Sequence, residues 1–115
     1  MNDKPHLDEE ALAELRDVME DEFDILIQTY ISDSRERIQA LHQALSDNDP
    51  DAFAKTAHSF KGSSINIGAA RLGELCLVIE KAGRDGALAD ARQRMTELEA
   101  EFAIVRRLME ESLLA

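Results

Sequence analysis

One cysteine, two prolines, five glycines and no tryptophan occur in 115 residues. A lone Cys76 cannot close an intrachain disulfide and offers no thiol pair to zinc, so stability must come from packing. Positive charge is scarce as well: 13 Lys and Arg stand against 24 Asp and Glu, a formal charge of −11. Nucleic-acid backbones and anionic membrane surfaces attract clustered Lys and Arg, so neither is an expected partner. No apolar run approaches the roughly 20 residues that cross a bilayer, and the start, Met1-Asn2-Asp3-Lys4-Pro5-His6, lacks the basic and apolar regions of a secretory signal. A soluble, cytoplasmic protein is expected. No P-loop or other Gly-rich phosphate cradle is present, which argues against ATP binding. The length suits one hydrophobic core, so a single domain is expected over residues 1–115, with residues 1–6 as a polar arm.

Between the few breakers, apolar residues recur at spacings of three and four, the helical period, and alternating strand patterns are missing. Leu7, Ala11, Leu15, Val18 and Met19 predict a short first helix, with Asp8 as its N-cap and Glu9 and Glu10 at its positive end. A longer helix follows on the stripe Phe23, Ile27, Tyr30, Ser34, Ile38, Leu41 and Leu45. Asp49 and Pro50 suit the cap and first turn of a third helix running from about Asp51 to Ile67, and Gly68 suits its end. A fourth helix is expected from Ala69, with Leu72, Leu75, Cys76, Ile79 and Ala82 inward, before a turn at Gly83-Arg84-Asp85-Gly86. The last helix carries Leu88, Ala91, Met95, Leu98, Phe102, Val105 and Met109 and is expected to fray near Ser112. Short connections favour antiparallel neighbours. The expected fold is all-α: an up-down-up-down antiparallel four-helix bundle with the short helix covering one end.

The third helix holds the candidate chemistry. Phe53, Ala57, Phe60, Ser64 and Ile67 fall within roughly 40° of one direction on a helical wheel, and His58 points roughly 140° away from it. Ala54 and Gly62 lie one turn to either side of the imidazole and are expected on the same outward face. A helix-interior Gly costs about 1 kcal/mol relative to Ala, so Gly62 calls for a reason other than stability, and close approach of another molecule to His58 is the natural one. Lys61 and Lys55 add positive charge, and from Ala52 to Ile67 there is no Asp or Glu. A positive window around an accessible imidazole on an acidic protein suits an anionic phosphoryl group.

The run Ala57-His58-Ser59-Phe60-Lys61-Gly62-Ser63-Ser64-Ile65-Asn66-Ile67-Gly68-Ala69 closely resembles the histidine-containing phosphotransfer (HPt) family, whose pattern is His-x-x-Lys-Gly-Ser/Ala-Ser/Ala with a Gly a few residues later. The expected five-helix layout extends the resemblance over nearly the whole chain, as a stand-alone bacterial HPt protein. It implies that His58 accepts the phosphoryl group, that Lys61 assists electrostatically and that Gly62 keeps the ring accessible. It also implies reversible exchange with aspartates on the receiver domains of a hybrid sensor kinase and a response regulator, the receiver supplying Mg²⁺ and this chain no cofactor of its own. A phosphocarrier is expected rather than an enzyme.

Other readings are weaker. A carboxylate-bridged metal site in a bundle needs Glu-x-x-His pairs, but Asp3, Gln39 and Lys55 stand three residues before His6, His42 and His58, so no metal site is expected. His6 and His42 are expected in surface or packing roles, Cys76 as a small buried hydrophobe, and Ser63 and Ser64 as small residues that let helices pack. A non-catalytic adaptor that binds a receiver or kinase without accepting phosphate would use the same surface, and the intact His58 argues against it. The net charge favours a monomer. Ile25 and Ile65 are apolar away from their helices' core stripes, so the expected docking face comprises Ala54, Lys55, Ile65 and Ile25 around His58.

Overall fold

The structure, a computed structural model, describes residues 4–114, so the first three residues of the polar arm lie outside the described residues. Five helices follow in order: α1 (Glu9–Met19), α2 (Glu22–Ser46), α3 (Pro50–Asn66), α4 (Ala70–Arg84) and α5 (Leu88–Leu114). Each of α2 to α5 packs on its chain neighbour, and α2 meets α5 to close a four-helix bundle, as the apolar periodicity predicts. Among the described residues, no helix is long and apolar enough to cross a membrane.

Local chemistry sets the helix ends. Asp8 accepts the Ala11 N–H at 3.0 Å and Asp49 accepts the Ala52 N–H at 3.1 Å, each satisfying a donor that a helix start would otherwise leave unpaired. Pro50 opens α3, where its missing N–H is harmless. Gly68 follows α3 with φ +93°, and its carbonyl accepts the Asp8 N–H at 2.9 Å. The segment entering α1 is thereby tied to the α3–α4 connection. Arg16 in turn hydrogen-bonds the Ser112 carbonyl and hydroxyl, so α5 continues helical to Leu114 rather than fraying near Ser112.

The core is one cluster in which Phe23, Ile27, Leu41, Phe53, Phe60, Leu72, Ile79, Leu98 and Met109 are fully buried. Phe60 meets Phe102 edge to face, with centroids 6.3 Å apart. Ser64 is also fully buried, and its hydroxyl shares a 2.8 Å hydrogen bond with Tyr30 of α2. That bond satisfies two polar groups inside an apolar layer and fixes the register of α3 against α2. Burial pushes the Tyr30 hydroxyl up to about 12, so it stays protonated and able to donate.

Two expectations, one about α4 and one about α3, are corrected. The turn is confined to Asp85 and Gly86, while Gly83 and Arg84 belong to the helix. Gly83 continues the inward row of Leu72, Cys76 and Ile79, and a Cβ placed on it would lie 2.9 Å from Phe53 Cδ1 and 3.3 Å from Ala54 Cβ. Gly83 is a contact residue that lets α4 approach α3 closely. Ala54 is consequently 2% exposed and does not belong to an outward face.

Gly83→Ala is therefore expected to destabilise the fold by roughly 1–3 kcal/mol, because overpacking against Phe53 outweighs a helix-propensity gain of about 1 kcal/mol. Denaturant unfolding measures the difference; a Gly83→Ala protein as stable as the native one would contradict the close α3–α4 packing.

Candidate functional site

His58 stands in the middle of α3 with its side chain 62% exposed. Its ring leans toward α4, where the Glu80 carboxylate, only 7% exposed, lies beneath it. The His58 Nδ1 to Glu80 Oε2 distance is 3.1 Å. Lys61 Nζ donates to Glu80 Oε1 at 3.0 Å, and Arg84 donates to Oε2 through both Nε at 3.1 Å and Nη2 at 2.9 Å. One buried carboxylate thus gathers three basic side chains from two helices.

Burial alone would raise the Glu80 carboxyl. The hydrogen bonds from Arg84 and Lys61, with the nearby Lys61 charge and that of His58 whenever its ring is protonated, outweigh burial and hold it below the usual glutamate range. An ionised carboxylate has no proton to give, so the hydrogen between Glu80 and His58 resides on Nδ1. The tautomer follows: Nε2 carries the lone pair, and among the described residues nothing hydrogen-bonds it. An exposed ring nitrogen with a fixed lone pair is a nucleophile ready for an electrophile arriving from outside.

The positive window read along α3 is therefore incomplete, because Glu80 brings a negative charge into it from α4. Lys61 is a half-buried partner of Glu80 rather than a free surface ammonium. Lys55 is exposed and pairs with Asp51 at 3.1 Å. Gly62 has nothing within 4 Å of where a Cβ would stand, so no packing constraint within the fold demands glycine there. Ile25 is 66% and Ile65 54% exposed. Ile65 nonetheless leans on α4, since a Cβ on Gly73 would fall 2.6 Å from its Cγ1.

Glu80 and Arg84 escape a reading made helix by helix. Glu80 flanks the inward row of α4 four residues after Cys76 and three before Gly83, and a carboxylate on the flank of a core stripe is the signal that could have found it. Arg84 is obscured by the turn expected at Gly83. Cys76 is fully buried, and burial, with Glu80's charge added, pushes its thiol up to about 12, which keeps it inert. His6 bonds the buried Glu101 at 2.7 Å and His42 makes an exposed pair with Glu99 at 3.2 Å, the packing and surface roles expected of them. Among the described residues, no group of three or more His, Cys, Asp and Glu is placed to hold a metal ion.

The Hpt domain family matches residues 25–108 of the chain. The chain is also similar to a solved structure, the crystal structure of histidine-containing phosphotransfer protein B (HptB) from Pseudomonas aeruginosa PAO1. It is 46% identical over 94% of each chain, with a TM-score of 0.89. No curated protein matches it.

The depressed Glu80 carboxyl sets a pH dependence. Its contribution to stability is fully present above the value of an unfolded glutamate, about 4.3, and is lost as pH falls through its lower folded value. The native protein is expected to exceed Glu80→Gln in stability near neutrality, and the gap should close on acidification below that range. Denaturant titrations at a series of pH values measure it; a gap that stays constant into strong acid would show that the Glu80 charge is not held by its partners.

Proposed function

The chain belongs to the histidine phosphotransfer (Hpt) domain family, and we propose that His58 is its phosphoacceptor, loaded by the aspartyl phosphate of one receiver domain and unloaded onto the aspartate of another. The observation that carries this reading is the exposed imidazole whose Nδ1 is held by the buried Glu80, with Nε2 open to solvent.

The chemistry balances without moving a proton. The Nε2 lone pair attacks phosphorus, the bond from phosphorus to the aspartyl oxygen breaks, and its electron pair stays on the receiver's carboxylate. The ring gains positive charge as the bond forms, and the Glu80 carboxylate beside Nδ1–H stabilises that charge. Reversal returns the Nε2–P electron pair to the ring. Because Nδ1 keeps its hydrogen throughout, the imidazole leaves as the same tautomer that attacked, which suits a reversible carrier. Lys61, tethered at 3.0 Å from Glu80, is positioned to turn to a phosphoryl oxygen when one arrives. Phosphoryl transfer depends chiefly on positioning and charge, and this chain contributes an aligned nucleophile and a nearby cation while Mg²⁺ is assigned to the receiver.

Docking requires an unobstructed approach to Nε2. Gly62, one turn beyond His58, leaves that approach clear, while Lys55 and Ile65 supply charge and apolar surface on the same helix and the exposed Ile25 of α2 extends the docking face toward the C-terminal end of α3. The buried Ala54 takes no part. Relay contacts must dissolve quickly, so a small interface fits better than a large obligate one. The same reading takes the chain as cytoplasmic, without ATP binding, and monomeric between encounters.

The test is transfer of labelled phosphate from purified phosphorylated receiver domains. Native protein is expected to acquire acid-labile, alkali-stable phosphate. His58→Gln should acquire none while its stability changes by only about 1 kcal/mol, the scale of one exposed hydrogen bond. Lys61→Ala should slow transfer roughly tenfold to a hundredfold. Gly62→Gln should fold and exchange poorly, because the new side chain covers the ring. Labelling that persists in His58→Gln would overturn the acceptor assignment, and binding of receivers with no phosphate uptake by the native protein would favour an adaptor.

A further inference from the structure

Glu80 is secured twice, and the two fastenings differ. Lys61 takes Oε1 through one flexible ammonium, whereas Arg84 places two N–H groups on Oε2, the oxygen that also receives His58 Nδ1–H. Arg84 lies one turn after Glu80 on α4, in the favourable order of acid before base, and its planar fork holds direction better than an ammonium can. Its own side chain is 57% exposed, so it is not a core residue. Glu80 hydrogen-bonds no other side chain among the described residues.

We propose that Arg84 is a positioning residue for phosphotransfer: it keeps Glu80 ionised and oriented when Lys61 turns to the phosphoryl group, so that His58 retains its proton on Nδ1. The proposal rests on the reading of His58 as acceptor and extends it to a residue that need not touch phosphate.

The reason is the fate of a buried carboxylate that loses a cation. With Lys61 drawn away, Glu80 is left with Arg84 and the imidazole. Without Arg84 as well, a carboxylate 7% exposed would have no cationic partner, and its relief is to take up a proton or to turn out toward water. A protonated Glu80 donates to Nδ1, and a carboxylate turned away no longer accepts from it; either way the ring hydrogen is released to Nε2, which removes the nucleophilic lone pair. Arg84 prevents this inversion. The two cations therefore divide the work: Lys61 is mobile and meets the phosphoryl group, and Arg84 is static and holds the base of the site.

The test withdraws Lys61 by substitution and reads the tautomer directly. His58 ring nitrogens are observed by long-range proton–nitrogen NMR at about pH 8.5, where an ordinary imidazole is neutral. The proteins compared are native, Lys61→Met, Arg84→Gln, Lys61→Met with Arg84→Gln, and Lys61→Met with Arg84→Lys. Native protein and Lys61→Met should keep Nδ1–H as the dominant form. The double variant with Gln should shift toward Nε2–H by about tenfold in the tautomer ratio, and the Lys replacement should recover part of the loss. Arg84→Gln alone should slow transfer from a phosphorylated receiver about tenfold with its helical circular dichroism unchanged. A double variant that keeps the native tautomer ratio overturns the role of Arg84, whatever the transfer rates. If native protein takes no phosphate while the tautomer shifts as stated, the acceptor reading fails and the positioning of His58 by Arg84 through Glu80 stands.

Discussion

A carboxylate taken out of water must be paired, and the arrangement around Glu80 follows from that constraint. Its three donors come from α3 and from α4 itself, so they meet only if the two helices run close together. Small residues make that possible: Gly83 lies against Phe53 and Ala54 below the site, and Gly73 lies against Ile65 above it. The glycines of α4 thus serve the same end as the charges, since a wider gap would leave Glu80 without His58 and Lys61. Removing any one donor would weaken the cluster, and removing the carboxylate would leave two cations facing an imidazole whose tautomer nothing selects.

The opposite side of α3 is held by different means. There Ser64 meets Tyr30 of α2 inside an apolar layer, and Phe60 packs on Phe102 of α5. Apolar burial supplies the adhesion while the Ser64–Tyr30 bond sets the register, so α3 cannot rotate without stranding polar groups. His58 consequently rides on a helix fixed on two flanks. Its mobility is confined to its own side-chain torsions, and the buried carboxylate limits those. In the proposed phosphotransfer, an exposed imidazole on a rigid support has little ordering left to do when a receiver docks.

Much of this was legible in the chain itself. Asp8, Asp49, Pro50 and Gly68 mark helix ends by chemistry that acts within a few residues, and the stripe from Phe53 to Ile67 gives the outward direction of His58. What a single helix cannot report is which neighbour covers its flanks. Ala54 reads as outward because a wheel is referred only to its own stripe, yet α4 arrives over it. Gly83 reads as a turn because glycine usually breaks helices, although here its missing side chain is the contact. Glu80 lies twenty-two residues from His58 and belongs to the site only through folding. The acid-free window along α3 was real in sequence and was filled in space.

The central claim is that Glu80 is an ionised carboxylate fixed by His58, Lys61 and Arg84. Carboxyl carbon NMR of the native protein, following Glu80 through an acid titration, tests it most directly. The expected result is a midpoint below the usual glutamate range, accompanied by a shift of the His58 Nδ1 signal as the carboxylate is lost. A Glu80 midpoint at or above that of an ordinary glutamate would mean that burial outweighs its partners, and the tautomer of His58 would then have no fixed cause.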